Sequence, residues 1–291
     1  MTDRRRLAFS GRVAHVALRG QVAAASFTEG QMHRVLSRTL AIRDRPGGAR
    51  LRELLFGADF LVIDRQDGAA FGARLSDGYA GWVDAVALAP AAGAAPTHRV
   101  AAARTLALSR PEATHDSPHV ELSLGARLVA GQASNGWTPV GLPTGQDQPA
   151  AMFVPTAHLA ELGRPARDPA AQAERLLGTP YLWGGNSAFG LDCSGLIDAA
   201  FTACGVACPG DSDMQAAELG AALAADAPLQ RGDLLFWKGH VAMATGADML
   251  IHANAHHMAV AAEPLAEATA RIAAQGGGPV TGRRRVSLSP G

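Results

Sequence analysis

The stretch TPYLWGGNSAFGLDCSGLIDAAFTACG, Thr179 to Gly205, decides the reading of the C-terminal half of this chain. A glycine-rich loop gives way to an apolar-periodic run at Cys193. Leu196, Ile197, Ala200, Phe201 and Cys204 recur at helical spacing, and Gly205 stands where a helix would end. Cys193 therefore falls at or just inside a helix N-terminus. The unpaired N–H groups there carry partial positive charge and favour thiolate over thiol. A thiolate is the reactive form, and amides at the helix start can donate to a developing oxyanion. Gly184, Gly185 and Gly190 would let backbone approach a bound molecule closely. Polar Asp192 and Ser194 flank Cys193, which is poor company for a cysteine that only fills a core. Cys204 and Cys208 read instead as small buried hydrophobes.

A cysteine nucleophile needs a proton acceptor, usually histidine. His240 opens the predicted strand HVAMAT and His252 closes the predicted strand DMLIH, with the turn TGAD between them. With Gly246 at the centre of that turn, the two histidines pair directly and share one face. A two-residue loop would put them on opposite faces. A catalytic pair thus requires a loop of odd length, in which His252 can orient His240. His256 and His257 read as loop residues.

The rest of the chain divides by composition. From Asp168, DPAAQAERLLG reads as a helix with Asp168 as N-cap, Pro169 in the first turn and Gly178 as its end. Before it, the first 160 or so residues hold an internal repeat. TLAIRDRP at Thr39 returns as TLALSRP at Thr105, ELLFGADFLVI at Glu53 as ELSLGARLVA at Glu121, and GWVDAVAL at Gly81 as MFVPTAHL at Met152. Each copy reads as five or six short strands between Gly, Asp and Asn turns, which suits a small closed barrel. The layout resembles bacterial SH3-like barrels. The expected fold class is α+β, with two small barrels over 1–95 and 96–162 and a mixed domain over 163–291.

The bulk numbers exclude several classes. The 291 residues are 48% hydrophobic and 18% charged, which is a globular composition. Lys plus Arg and Asp plus Glu number 26 each, so charge gives no argument for nucleic acid or an anionic membrane. The N-terminal stretch is basic but has no apolar run after it, so neither a signal peptide nor a spanning helix is read and a cytoplasmic protein is expected. Three cysteines without a C-x-x-C pair do not form a disulfide framework, and no metal or other cofactor is expected.

YLWGGNSAFGLDCSGLIDAAF, then GDLLFWKGHVAMATG, then LIHANA resembles the NlpC family of papain-like cysteine peptidases, which cut bacterial cell-wall peptides. With two SH3-like barrels ahead, the arrangement is similar to the gamma-D-glutamyl-L-diamino acid endopeptidases. The resemblance implies Cys193 as nucleophile, His240 as general base, His252 as the orienting residue and Tyr181 beside the oxyanion. It implies that Trp183, Asp192 and Ser194 line the substrate site, and that Tyr79 in the first barrel helps close the far end of the cleft. The implied substrates are small murein peptides with a free N-terminal L-Ala, cleaved in wall-peptide recycling. Relatives carry Pro-Arg after the nucleophile helix, where this chain has Gly210. Asp211, Ser212 and Asp213 either contact the diamino acid or cap the next helix. An amidase or acyltransferase on the same fold, or a non-catalytic murein-binding scaffold, are the alternatives.

Overall fold

The computed structural model describes residues 3–114, 116, 118–142 and 150–288. The chain forms two units, Met1–Gly163 and Arg164–Gly291.

The first unit holds two seven-stranded sheets. One contains, in chain order, Gln31–Val35, Thr39–Arg43, Arg50–Leu55, Asp59–Gln66, Ala69–Arg74, Ala80–Asp84 and Leu88–Pro90. The other contains His98–Val100, Arg104–Leu108, His119–Ser123, Arg127–Ala130, Trp137–Leu142, Ala150–Pro155 and Leu159–Glu161. Numbering the strands within each sheet, both have the spatial order 3-2-6-5-4-1-7. The seventh strand in each is a short piece after a 3-10 turn.

Pairing corrects the repeat by one residue. Thr39 pairs with Leu55 and Arg104 pairs with Ser123. With Glu53 matched to Glu121, Thr39 is therefore level with Arg104, not with Thr105. The inward pair Leu40 and Ile42 corresponds to Thr105 and Ala107. Thr105 is tolerated inside because its Oγ1 bonds His158 Nδ1 at 2.8 Å.

The two sheets share a core residue. Phe56, at the turn after the first sheet's third strand, is 2% exposed and packs with Val100, Leu122, Leu128 and Val154 of the second. The Phe56 carbonyl accepts the Arg127 N–H at 2.9 Å. Gly57 follows at φ +72°, and a Cβ there would lie 2.0 Å from the Arg127 carbonyl oxygen. Both the dihedral and the close approach require glycine. Ahead of these sheets, residues 3–28 are tied down where Arg12 and Ser10 bond Asp64.

Beside the short antiparallel pair Asn186–Ser187 and Gly190–Leu191, the second unit holds a six-stranded antiparallel sheet with helices. The strands lie in the order Ala221–Ala222, Gly282–Arg285, Leu234–Trp237, His240–Ala244, Met249–Asn254, Ala259–Pro264. Leu235, Trp237, Ala242, Ala244 and Leu250 pack with Ala268 and Ile272 of the helix Leu265–Ala274. Helix Cys193–Ala203 packs against the strands His240–Ala244 and Met249–Asn254. Its apolar stripe is fully buried, and Gly205 follows at φ +79°. The helix expected from Asp168 is Pro169–Glu174, capped by Asp168, which accepts from the Ala171 N–H. Arg231 links Asp168 and Glu174. Among the described residues, no helix is long and apolar enough to cross a membrane.

Gly57→Ala and Gly68→Ala separate dihedral strain from close approach. Gly68 has φ +76° with nothing near its absent Cβ. Urea denaturation should show a cost of about 1 kcal/mol for Gly68→Ala and roughly 3 kcal/mol or more for Gly57→Ala. Equal costs would mean that the two sheets do not meet at Gly57.

Candidate active site

Cys193 is the first residue of its helix, and Asp192 is the N-cap. Asp192 Oδ1 accepts the Gly195 N–H at 2.7 Å and the Ser194 hydroxyl at 3.0 Å. Its Oδ2 accepts the Gly184 N–H at 2.9 Å. One carboxylate thus satisfies a helix-start donor and ties the preceding loop to it. The loop lies close: a Cβ on Gly195 would meet the Gly185 carbonyl oxygen at 2.1 Å. A Cβ on Gly185 would meet the Gly190 carbonyl oxygen at 2.4 Å. The smallness of these glycines is used inside the chain, in packing the loop onto the helix start. Gln215 secures the same turn from the other side, donating to the carbonyls of Ser194 at 3.0 Å and Pro209 at 2.9 Å.

The remaining residues of the loop fall around this turn. The Tyr181 N–H donates to the Met258 carbonyl at 2.9 Å. Its phenol is pushed up to about 12, first by burial and then by the charges of Cys193 and Asp192. It therefore stays protonated, a donor rather than an anion, within electrostatic reach of Cys193. Trp183 is 69% exposed, and Leu182 and Met258 beside this loop are exposed too. Ser194 is buried against Asp192. Asp211 stands at the N-cap position of helix Ser212–Glu218 and Asp213 in its first turn. Tyr79 lies in the other unit, 2% exposed and packed with Val35, Leu40, Ile42 and Leu54 in the core of the first sheet.

The histidines share a face, as the odd-loop argument required, but in a different register. Ala244 pairs with Leu250 and the Thr245 N–H reaches the Met249 carbonyl. The turn is thus centred on Ala247, not Gly246. His240 is offset from His252 by two residues, so the two are diagonal neighbours, within reach of side chains this long. His240 Nε2 lies 2.8 Å from His252 Nδ1, with ring centroids 5.0 Å apart. Trp237 pairs directly with His240 and its ring is tilted against the imidazole.

Glu263 was not legible as part of this group. It lies on the next strand, where His252 pairs with Ala261. Glu263 is therefore a diagonal neighbour of His252, and its Oε1 is 2.5 Å from His252 Nε2. Arg271, on the following helix, donates to the same oxygen. A lone acidic residue in the otherwise apolar AVAAEP is the trace it leaves in the sequence. Burial lowers the pKa of both histidines. His240, half-buried, is pushed down to about 3, chiefly by burial and then by His252 and Arg271, with Glu263 acting upward. Both rings are neutral at pH 7, the state a base requires. Cys204 and Cys208 are buried thiols outside any disulfide, and Cys208 Sγ accepts from Gln215. Among the described residues, no cluster of three or more His, Cys, Asp and Glu is placed to hold a metal.

A helix-start cysteine packed on an antiparallel sheet that carries a histidine pair defines a papain-like domain. In particular, residues 178–272 match the NlpC/P60 family and residues 42–88 match the bacterial dipeptidyl-peptidase Sh3 domain, so the chain contains one domain of each kind. An NlpC/P60 family protein from Bacillus cereus is 21% identical over 89% of this chain and 100% of its own, with a TM-score of 0.73, and shares the fold. NlpC2 from Trichomonas vaginalis is 15% identical over 88% of this chain and 97% of its own, with a TM-score of 0.45. RipB from Mycobacterium tuberculosis, described as a peptidoglycan hydrolase, is 29% identical over 40% of this chain and 62% of its own, with a TM-score of 0.34. No curated protein matches the chain.

Two measurements check this geometry. Asp192→Ala should cost about 1–2 kcal/mol in urea denaturation, and Asp192→Asn, which keeps an acceptor, clearly less. The second is pH dependence. An unfolded His240 titrates near 6.5 and the folded one lower. As pH falls through the unfolded value, the unfolded state gains a proton that the folded state refuses, so stability falls. Tm should drop between pH 7 and pH 5, and His240→Ala should remove part of that slope. An unchanged slope would show that His240 is not held neutral by folding.

Proposed function

We propose that the second unit is a cysteine peptidase acting on cell-wall peptides. The observation that carries this is the placement of Cys193 at a helix N-terminus, on a helix packed against the strand that bears His240, whose Nε2 is bonded to His252. The NlpC/P60 domain, from a family of cysteine peptidases, supports it. The mechanism follows from the groups present. The Cys193 thiolate attacks the substrate carbonyl, with Tyr181 as a neutral donor beside the oxyanion. Neutral His240, having taken the Cys193 thiol proton as the sulfur becomes the attacking thiolate, gives that proton to the departing amine as the C–N bond breaks. His240 then takes a proton from water, whose oxygen attacks the thioester and frees the thiol.

The finer reading is cleavage of the gamma-D-Glu–L-diamino acid bond in short peptides with a free N-terminal L-Ala, which would serve wall-peptide recycling. It is supported by the order of an SH3-type domain followed by an NlpC/P60 domain. We read the second seven-stranded sheet as another SH3-like barrel because it repeats the strand order of the first. On this reading Trp183, Asp192 and Ser194 take part in substrate binding.

Incubation with L-Ala-gamma-D-Glu-diaminopimelate should release L-Ala-D-Glu. Cys193→Ala should abolish turnover, and His240→Ala should lower kcat about 10²- to 10⁴-fold. Binding without cleavage by the native protein would indicate a scaffold, and release of a different fragment an amidase. Acetylation of the alanine amine should suppress cleavage, and undiminished turnover would remove the finer specificity.

A further inference from the structure

His240, His252 and Glu263 stand on three adjacent strands, and each step across the sheet advances two residues. The three side chains therefore lie along one diagonal, joined by contacts of 2.8 Å and 2.5 Å. Arg271 closes the line from the helix that packs on this sheet. The chemistry of the last member fixes the protons of the others. An ionised carboxylate can only accept, so His252 carries its proton on Nε2. Neutral His252 then offers a bare Nδ1, which accepts from the His240 Nε2–H. Neutral His240 is left with Nδ1 as its basic nitrogen.

We propose that Glu263, anchored by Arg271, is a positioning residue that sets the tautomer of both histidines. It rests on the reading of His240 as the base that serves Cys193. Glu263 touches neither thiol nor substrate and acts through His252. When His240 takes up a proton, the new charge faces a line that ends in a carboxylate, so Glu263 also steadies the imidazolium. Arg271 keeps that carboxylate ionised. Burial would raise the pKa of Glu263, but bonds from Arg271 and His252 outweigh it and hold it below the usual range. Without that bias, His252 could pass its proton to Glu263 and the order of donors along the line would be lost.

The test uses the full chain labelled with 15N-histidine, free of ligand, beside steady-state kinetics. In the native protein, both rings should carry the proton on Nε2. A native His240 protonated on Nδ1 at neutral pH overturns the proposal, whatever the variants do. Glu263→Ala should move the His240 and His252 nitrogen signals toward tautomer-averaged values. It should lower kcat about 10- to 100-fold with KM within about twofold. Glu263→Gln keeps an acceptor oxygen, and should preserve the tautomers and recover much of kcat. Arg271→Gln should shift the signals in the same direction as Glu263→Ala, by less. If Glu263→Ala lowers Tm while its tautomers and kcat remain native, Glu263 is merely structural and the proposal fails. If Glu263→Ala does not fold, the native spectrum and Glu263→Gln still decide. If the native protein cleaves no wall peptide, the peptidase reading falls, and the nitrogen spectra judge Glu263 independently.

Discussion

The carboxylate of Asp192 is the constraint on which the site depends. It caps the helix that begins at Cys193, takes the Ser194 hydroxyl and holds the Gly184 N–H. A free helix start frays, because its first N–H groups have no partners. Capped this way, the first turn is fixed to the loop that carries Tyr181 and Trp183, so Cys193 and that loop are held together. Gly185, Gly190 and Gly195 are required for the same reason, since any Cβ on them would collide with the loop or the helix start.

The second half of the site is built by sheet register rather than by a cap. Three adjacent antiparallel strands bring His240, His252 and Glu263 to the same face of the sheet. His252 is wholly buried, so its two ring nitrogens must both be satisfied by protein. His240 does this on one side and Glu263 on the other. Burial keeps the rings neutral, and the carboxylate at the end of the line gives the arrangement a direction. A buried imidazole between two polar neighbours is stable only when each donor faces an acceptor, which is the condition that orders the protons.

The first unit shows how one small fold is reused. Both sheets have the same strand order, yet their sequences agree only in part. The Thr-Leu-Ala motif occurs in both but stands one residue out of register between them. Inward positions accept either leucine or a threonine whose hydroxyl is bonded, so the letters repeat less faithfully than the pairing. Phe56 departs from its own sheet's core and fills the neighbour's, which makes the two sheets one packed body.

Local chemistry was enough to read the helix at Cys193 and its end, the histidine hairpin and the repeat, because periodicity and turn residues act over a few positions. The sequence could also state that the histidines share a face only if their loop is odd. It could not place the centre of that loop on Ala247, bring Glu263 beside His252, or show that Asp192 and the glycines hold the helix start. Those depend on strand register and on contacts between segments distant along the chain, which are chosen by packing of the whole sheet. No local pattern carries that information, since a shift of one residue leaves the composition of a strand unchanged and turns every side chain to the other face.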